Sequence, residues 1–172
     1  SKAEAAKMFS EINTQSKPLA EEHQLYAGDR FSIPSVKKHQ DFADTENGKK
    51  NRFCYQLAAK CCSSTESPLY GRIRMMPKRS QRDSHSIIVE IPTWMTQTRK
   101  WANIWLESNE EGRRDVINYL SAFSKTMRVG SGGNQGWGLL GERGKSLFEN
   151  KGPFNAVLEV YPLVRNFVAF MG

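Results

Sequence analysis

The residues whose types and spacing could do chemistry are basic and aromatic side chains that alternate along predicted strands. Tyr70, Arg72 and Arg74 stand two residues apart, so a strand over residues 69–76 would present all three on one face. Guanidinium groups bind phosphates, and aromatic rings stack on unpaired bases at roughly 1 to 3 kcal/mol each. The sequence therefore predicts a protein that binds single-stranded nucleic acid, RNA in preference to DNA, through Tyr70, Arg72, Arg74, Lys78, Arg79, Arg82, Arg99, Trp101 and Trp105.

Trp101 and Trp105 have two interpretations of equal weight. On a strand over residues 99–106 they share a face with Arg99, which is typical of a stacking platform. The same two rings are also typical of core residues packed beneath a helix. The basic segment 77–82 is similarly either part of the binding surface or an ordinary solvated turn. Arg72 and Arg74 favour exposure, because burying an unpaired guanidinium costs a great deal of free energy.

Signatures of catalysis and metal binding are missing from the sequence. His23, His39 and His85 are far apart, and the three cysteines form no C-x-x-C pair, so no metal site is predicted. The segment 141–146 has the Gly-Lys-Ser ending of a phosphate-binding loop but lacks its first glycine. We therefore predict neither enzymatic activity nor a cofactor.

Strand-like runs over residues 69–76, 86–91 and 99–106 precede one well-marked helix. Ser108 followed by Glu111 is a capping box, in which each side chain satisfies a free backbone donor of the first turn. Apolar residues then recur with helical spacing at Val116, Ile117, Leu120, Phe123 and Met127.

The flanking segments extend this pattern in both directions. Asn47-Gly48 predicts a hairpin turn before a strand that begins at Arg52. Later, residues 154–160 alternate as a last strand, and Pro162 is well placed to open a final helix. The predicted fold is α+β, with curved antiparallel sheets each followed by a helix packed across the sheet.

Length, charge and cysteine content limit the class of protein. A chain of 172 residues fits one domain, in which residues 1–25 are predicted to form an N-terminal helix or arm and residues 130–145 a glycine-rich loop. A net charge of +7 favours a polyanionic partner. Three cysteines cannot all pair within the chain, and no run approaches the ~18 apolar residues of a membrane span. These features predict an intracellular, reducing location, the mitochondrial matrix included; a targeting segment upstream of Ser1 stays open.

A family resemblance rests on the strand that runs directly into the capped helix. The segment Lys-Trp-Ala-Asn-Ile-Trp-Leu, residues 100–106, leads into Asp-Val-Ile-Asn-Tyr-Leu-Ser-Ala-Phe, residues 115–123. This order resembles the strand-helix repeat of the PUR and Whirly group, which includes mitochondrial guide-RNA-binding proteins, over roughly a third of the chain. The resemblance implies two strand-helix repeats, single-stranded nucleic acid bound on the sheets, and tetramers formed through the helices.

An alternative function follows from the same surface chemistry. A structural or assembly protein of matrix or coat type would turn a basic face toward a membrane or genome and join copies of itself through apolar faces. Under both interpretations, nucleic-acid binding and structural assembly, the chain is expected to form homo-oligomers or hetero-oligomers.

Overall fold

The described part of the chain is mostly helical. The computed structural model describes residues 45–76, 87–126 and 151–171, together with six single positions between Glu4 and Asp29. These three ranges contain the helices α1 (Glu46–Ser63), α2 (Ile91–Thr98), α3 (Asn109–Thr126) and α4 (Lys151–Met171). They also contain two short strands and one 3₁₀ turn, namely β1 (Ile73–Arg74), β2 (Val89–Glu90) and Ala102–Trp105. The predicted α+β fold is wrong, because its curved antiparallel sheets are replaced here by helices and one two-residue parallel pair.

Helix α1 replaces the predicted hairpin and the strand that begins at Arg52. The Thr45 hydroxyl caps the helix by accepting a hydrogen bond from the Gly48 amide at 3.1 Å, so the Asn47-Gly48 pair lies in the first helical turn. Apolar alternation over so few residues is also compatible with a helix. The buried residues of α1 include a stripe with helical spacing, namely Cys54, Leu57, Ala58 and Cys61.

The paired strands are far shorter than predicted, and they are parallel. Ile73 lies opposite Val89, and the chain reaches β1 through Gly71, whose φ of 63° is accessible to glycine at little cost. Strand β2 ends at Glu90 because α2 begins at the next residue, with Pro92 in its first turn. The fixed φ of proline suits the first turn of a helix, and its missing amide is one that a helix start leaves unpaired anyway.

Helix α3 confirms the one helix that the sequence marked clearly. The Gly112 amide donates to the Ser108 carbonyl at 2.8 Å, which places the first turn at the predicted residue. Val116 and Leu120 are buried, as their spacing predicted. Lys125 in the last turn complements the negative pole of the helix dipole.

The predicted strand over residues 99–106 is a turn followed by the 3₁₀ helix. The Trp101 amide donates to the Thr98 carbonyl at 3.2 Å, and the Ile104 amide donates to the Trp101 carbonyl at 3.2 Å. These local bonds use backbone groups that a sheet would need for its ladder. Without a strand, Trp101 and Trp105 have no exposed sheet face to share, and both side chains are buried in the core.

Helix α4 joins a predicted strand and a predicted helix into one element that contains Pro162. Its first half packs against α2, and its buried residues have the spacing i, i+3, i+4, i+7 at Phe154, Val157, Leu158 and Tyr161. The core therefore lies among the four helices, with α1 in contact with both α2 and α3.

Several expectations fall on other parts of the chain. The glycine-rich loop over residues 130–145 and the basic segment 77–82 lie outside the described residues, as does nearly all of the predicted arm over residues 1–25. The strand-helix repeats implied by the PUR and Whirly resemblance differ from the helical arrangement of the described ranges.

Candidate functional site

The tryptophans predicted as a stacking platform are hydrogen-bonded core residues. Trp101 is 5% exposed and donates its indole N–H to the Leu158 carbonyl at 3.0 Å. Trp105 is 6% exposed and donates to the Tyr161 hydroxyl at 2.8 Å. A ring this deeply buried has no face on which a base could stack. Of the two interpretations that the sequence left open, the structure has the core arrangement.

Trp101 donates a hydrogen bond to a backbone carbonyl of α4 that lacks its usual helical donor. Pro162 has no amide hydrogen, so the Leu158 carbonyl, four residues earlier, loses its usual helical donor. The Trp101 indole supplies a donor to that carbonyl. One residue earlier, the Val157 carbonyl accepts from the Tyr119 hydroxyl at 2.7 Å. Two aromatic donors from other elements therefore bind the helix backbone beside the proline.

Tyr161 is the centre of a polar chain within this core. Its hydroxyl accepts from Trp105 and donates to the Asp115 carboxylate on α3. Burial, followed by the hydrogen bond and the charge of Asp115, raises the pKa of Tyr161 above its ordinary value. The hydroxyl therefore keeps its proton at neutral pH and remains a donor. The Trp101 and Tyr161 ring centroids lie 4.7 Å apart, so an aromatic contact also holds the Tyr161 ring in place.

The remaining predicted binding residues do not share one exposed face. Tyr70 is exposed in the turn after α1, and Arg72 is half-buried. Arg74 is buried in β1, opposite Glu90 in the strand register. Arg99 is exposed at the end of α2. Lys78, Arg79 and Arg82 lie outside the described residues.

The cysteines are structural in character. Burial raises the pKa of the Cys54 thiol to about 11 and that of the Cys61 thiol to about 12. Because the thiolate is the reactive form, both are poor nucleophiles at neutral pH. Cys62 is half-buried and donates to the Ile73 carbonyl at 3.3 Å. Within the described ranges, no group of three His, Cys, Asp or Glu side chains is placed to hold a metal ion.

The described surface includes two concave regions. A mostly apolar pocket of about 400 Å³ is lined by residues that include Tyr26, Cys62, Met75 and Met76. A polar cleft of about 530 Å³ lies beside the first turns of α1 and α3, and its lining includes Glu46, Glu107, Glu111, Lys49 and Arg165. Carboxylates and cations are mixed in the cleft, so its charge selects neither an anion nor a cation.

The large apolar side chains with the highest exposed fractions among the described residues lie in the second half of α4. Phe170 is 87% exposed, Leu163 is 68% exposed and Phe167 is 63% exposed. Every residue from Asn166 to Met171 is exposed. We call this surface the apolar end of α4, and it consists of Val160, Leu163, Val164, Phe167, Val168, Phe170 and Met171.

Contacts at the start of the apolar end hold it against the domain. The Arg165 guanidinium lies 4.4 Å from the centroid of the Trp105 ring, within the range of a cation–π interaction. One turn and a half earlier, Glu159 forms an ion pair with Lys100. The helix therefore leaves the domain from a fixed position and presents its apolar end in a defined direction.

Sequence reasoning missed this surface, although a signal was present. By helical spacing, Leu163, Val164, Phe167, Val168 and Met171 share one side of the final helix that the sequence predicts after Pro162, and such a side is typically packed. Phe170 on a neighbouring side shows that the segment is apolar over more of its circumference than one buried face requires. None of the helices in the described ranges is both long and apolar enough to span a membrane.

Comparisons with known proteins identify no relative of this chain. Neither a protein-family model, nor a curated protein, nor a solved structure matches the chain.

Proposed function

We propose that this protein is a non-catalytic assembly protein that docks onto another protein through the apolar end of α4. The observation that carries the proposal is the contiguous exposure of Leu163, Phe167 and Phe170 on one helix. Scattered apolar residues are normal on a protein surface, whereas contiguous apolar patches mark interaction sites. This function is the assembly alternative that the sequence allowed, now attached to a specific surface.

The way α4 is anchored supports docking as a preformed helix. Its first half is fixed in the core by the donors Trp101 and Tyr119, and Arg165 stacks on Trp105 where the helix emerges. A helix that is already ordered loses little conformational entropy when it binds. Helix-in-groove recognition uses apolar anchors at the spacing i, i+3, i+4 and i+7, which Val160, Leu163, Val164 and Phe167 supply.

Site-specific cross-linking in cells tests the proposal. A photoreactive phenylalanine analogue at Phe170 should form a discrete adduct with a protein partner. The adduct should disappear when Phe167→Glu is added and persist with Asn166→Glu, because Asn166 is exposed on the polar side of the same turn. The absence of any adduct, or an adduct that both changes leave intact, would contradict docking through this surface.

Binding of single-stranded nucleic acid is a second candidate function. Tyr70 is an exposed aromatic ring two residues before the half-buried Arg72, and the chain carries a net charge of +7. These features support stacking and phosphate contacts at the turn after α1, on a much smaller surface than the sequence suggested.

A filter-binding titration against single-stranded RNA tests the second function. The logarithm of the affinity should fall with the logarithm of salt concentration by about 0.7 per phosphate contacted. Tyr70→Ala should weaken binding by roughly 1 to 3 kcal/mol if a base stacks on this ring. An affinity that is flat between low and physiological salt would remove this function.

A further inference from the structure

We propose that the occupant of the apolar end is a second copy of this chain, so that two α4 helices pair with each other. The inference rests on the proposed docking function and names its partner. In this arrangement the exposed halves of two α4 helices lie side by side, and each covers the apolar side chains of the other.

The spacing along the apolar end fits pairing between helices. Val160, Val164, Phe167 and Met171 are separated by four, three and four residues, which is the spacing of the two apolar positions in a heptad. Such positions form a narrow seam on one side of a helix. Leu163, Val168 and Phe170 flank the seam, so its edges are apolar as well.

The amount of exposed apolar surface is of the order that a stable dimer requires. The seven side chains of the apolar end expose roughly 700 to 800 Å² in total, since a large aromatic side chain alone offers ~150 to 250 Å². A standard protein interface buries about 800 Å² on each partner. Pairing of two copies through this surface would therefore bury much of the area that a specific interface requires.

The charge pattern favours a copy of the same helix over a membrane or a nucleic acid. Arg165 is the one charged residue between residues 160 and 171, and its guanidinium lies over Trp105. Asn155, Glu159 and Asn166 form a polar stripe outside the seam, next to the flank of Leu163 and Phe170. Helices that lie on membranes have a polar face rich in Lys and Arg, and nucleic acids require cations at the contact. A seam without charge is complementary to another seam without charge.

Two-fold symmetry makes this pairing self-limiting. A two-fold interface uses the same patch on both subunits, so one apolar seam per chain yields a closed dimer and no open filament. Phe167, near the middle of the exposed half, should contribute most, because interface energy concentrates in central aromatic residues.

Sedimentation equilibrium of the full chain over ~1 to 200 µM tests the inference. The chain of 19.6 kDa should sediment with twice that mass at the upper concentrations. Phe167→Glu should raise the dissociation constant at least ~30-fold, which is the scale of an interface hot spot. Asn166→Glu, one residue away and on the polar side, should leave the dissociation constant unchanged. Far-ultraviolet circular dichroism and thermal melting of both variants verify that each remains folded.

The other outcomes separate this inference from the function on which it rests. A chain that stays monomeric throughout the concentration range overturns self-association, and a dimer that Phe167→Glu leaves intact overturns pairing through α4. If cross-linking from residue 170 then still yields an adduct that Phe167→Glu abolishes, the docking function stands with a different protein as partner. If no adduct forms either, both proposals fall. Co-flotation with phosphatidylglycerol vesicles that depends on Phe167 would assign the surface to a membrane and overturn both.

Discussion

The two halves of α4 place similar apolar residues in opposite environments. Phe154 is fully buried in the first half, whereas Phe170, four and a half turns later on the same helix, is 87% exposed. The first half faces donors and rings from three other elements, among them Trp101 and Tyr119. In the second half, Leu163 and every residue from Asn166 to Met171 are exposed. Hydrophobicity thus indicates which residues can be buried, and the neighbouring elements decide which of them are.

The largest expected effect comes from making the same change in both halves. Phe154→Ala should lower the free energy of unfolding by about 3 to 5 kcal/mol, because it leaves a cavity in the core. Phe170→Ala should change it by no more than ~0.5 kcal/mol, because the ring is exposed in the single chain. Urea denaturation of both variants, at a concentration low enough to keep the chain monomeric, measures the difference. Equal losses for the two variants would show that the second half is also packed within the chain.

A second test adds a methyl group at Gly112 of α3, against the Trp105 ring that contacts α4 where its two halves meet. A Cβ atom at this position would lie 2.4 Å from Cγ of Trp105, which is the ring that contacts both Tyr161 and Arg165. Glycine to alanine within a helix normally stabilises by ~0.5 to 1 kcal/mol. Here we expect Gly112→Ala to destabilise by about 1 to 3 kcal/mol, because the root of the Trp105 side chain has no room to shift.

The sign of the change makes this test decisive. Asn118→Ala, at an exposed position of the same helix, serves as the control and should be neutral or slightly stabilising. If Gly112→Ala also stabilised the protein, the close contact between Trp105 and α3 would be contradicted.

A third test uses pH to probe the buried half alone. The pKa of Tyr161 is raised above its ordinary value of 10.0, so above pH 10 the unfolded chain releases a proton that the folded chain keeps. The contribution of this group is therefore complete below pH 10 and is lost as pH rises beyond it, at up to ~1.4 kcal/mol per pH unit. Unfolding free energies measured from pH 8 to 11 should fall less steeply for Tyr161→Phe than for the parent chain. Phe170→Leu, in the exposed half, should leave the slope unchanged.

The sequence predicted those features whose signals are local. Helix α3 has its capping box and its apolar spacing within one continuous segment, so its existence could be inferred from Ser108, Val116 and Leu120. The fold as a whole could not be inferred from the sequence, because short alternating runs such as the one after Arg52 are compatible with both a strand and a helix. The cap that decides between them, Thr45, precedes the alternating run and was not recognised.

The candidate site was misjudged for a related reason. Whether Trp101 is a platform or core depends on the Leu158 carbonyl, which is 57 residues away in sequence. Likewise, the apolar character of residues 163–171 is evident from the sequence, but their exposure depends on which other elements pack against α4. Both properties belong to tertiary contacts, and a single sequence contains no direct signal of such contacts.

The last and smallest test concerns the coupling between Trp101 and Pro162, where the buried half gives way to the exposed half. Trp101→Phe removes the indole N–H and leaves the Leu158 carbonyl without that donor, while Pro162→Ala restores a backbone amide that can reach the same carbonyl. The loss caused by Trp101→Phe should therefore be smaller in the Pro162→Ala background. The volume lost from the ring is common to both backgrounds and cancels in the cycle. A coupling of about 1 kcal/mol is expected from urea denaturation of the four proteins.

A matched control distinguishes this coupling from a general weakening of the core. Trp94 also donates a buried indole N–H to a helix carbonyl, that of Cys54 at 3.0 Å, but the carbonyl lies in α1, away from the proline. Trp94→Phe and Pro162→Ala should therefore be additive within ~0.5 kcal/mol. If the Trp101 cycle were equally additive, Trp101 would act in this core by its volume alone. The helical conformation of α4 around Pro162 would then be stabilised by other contacts.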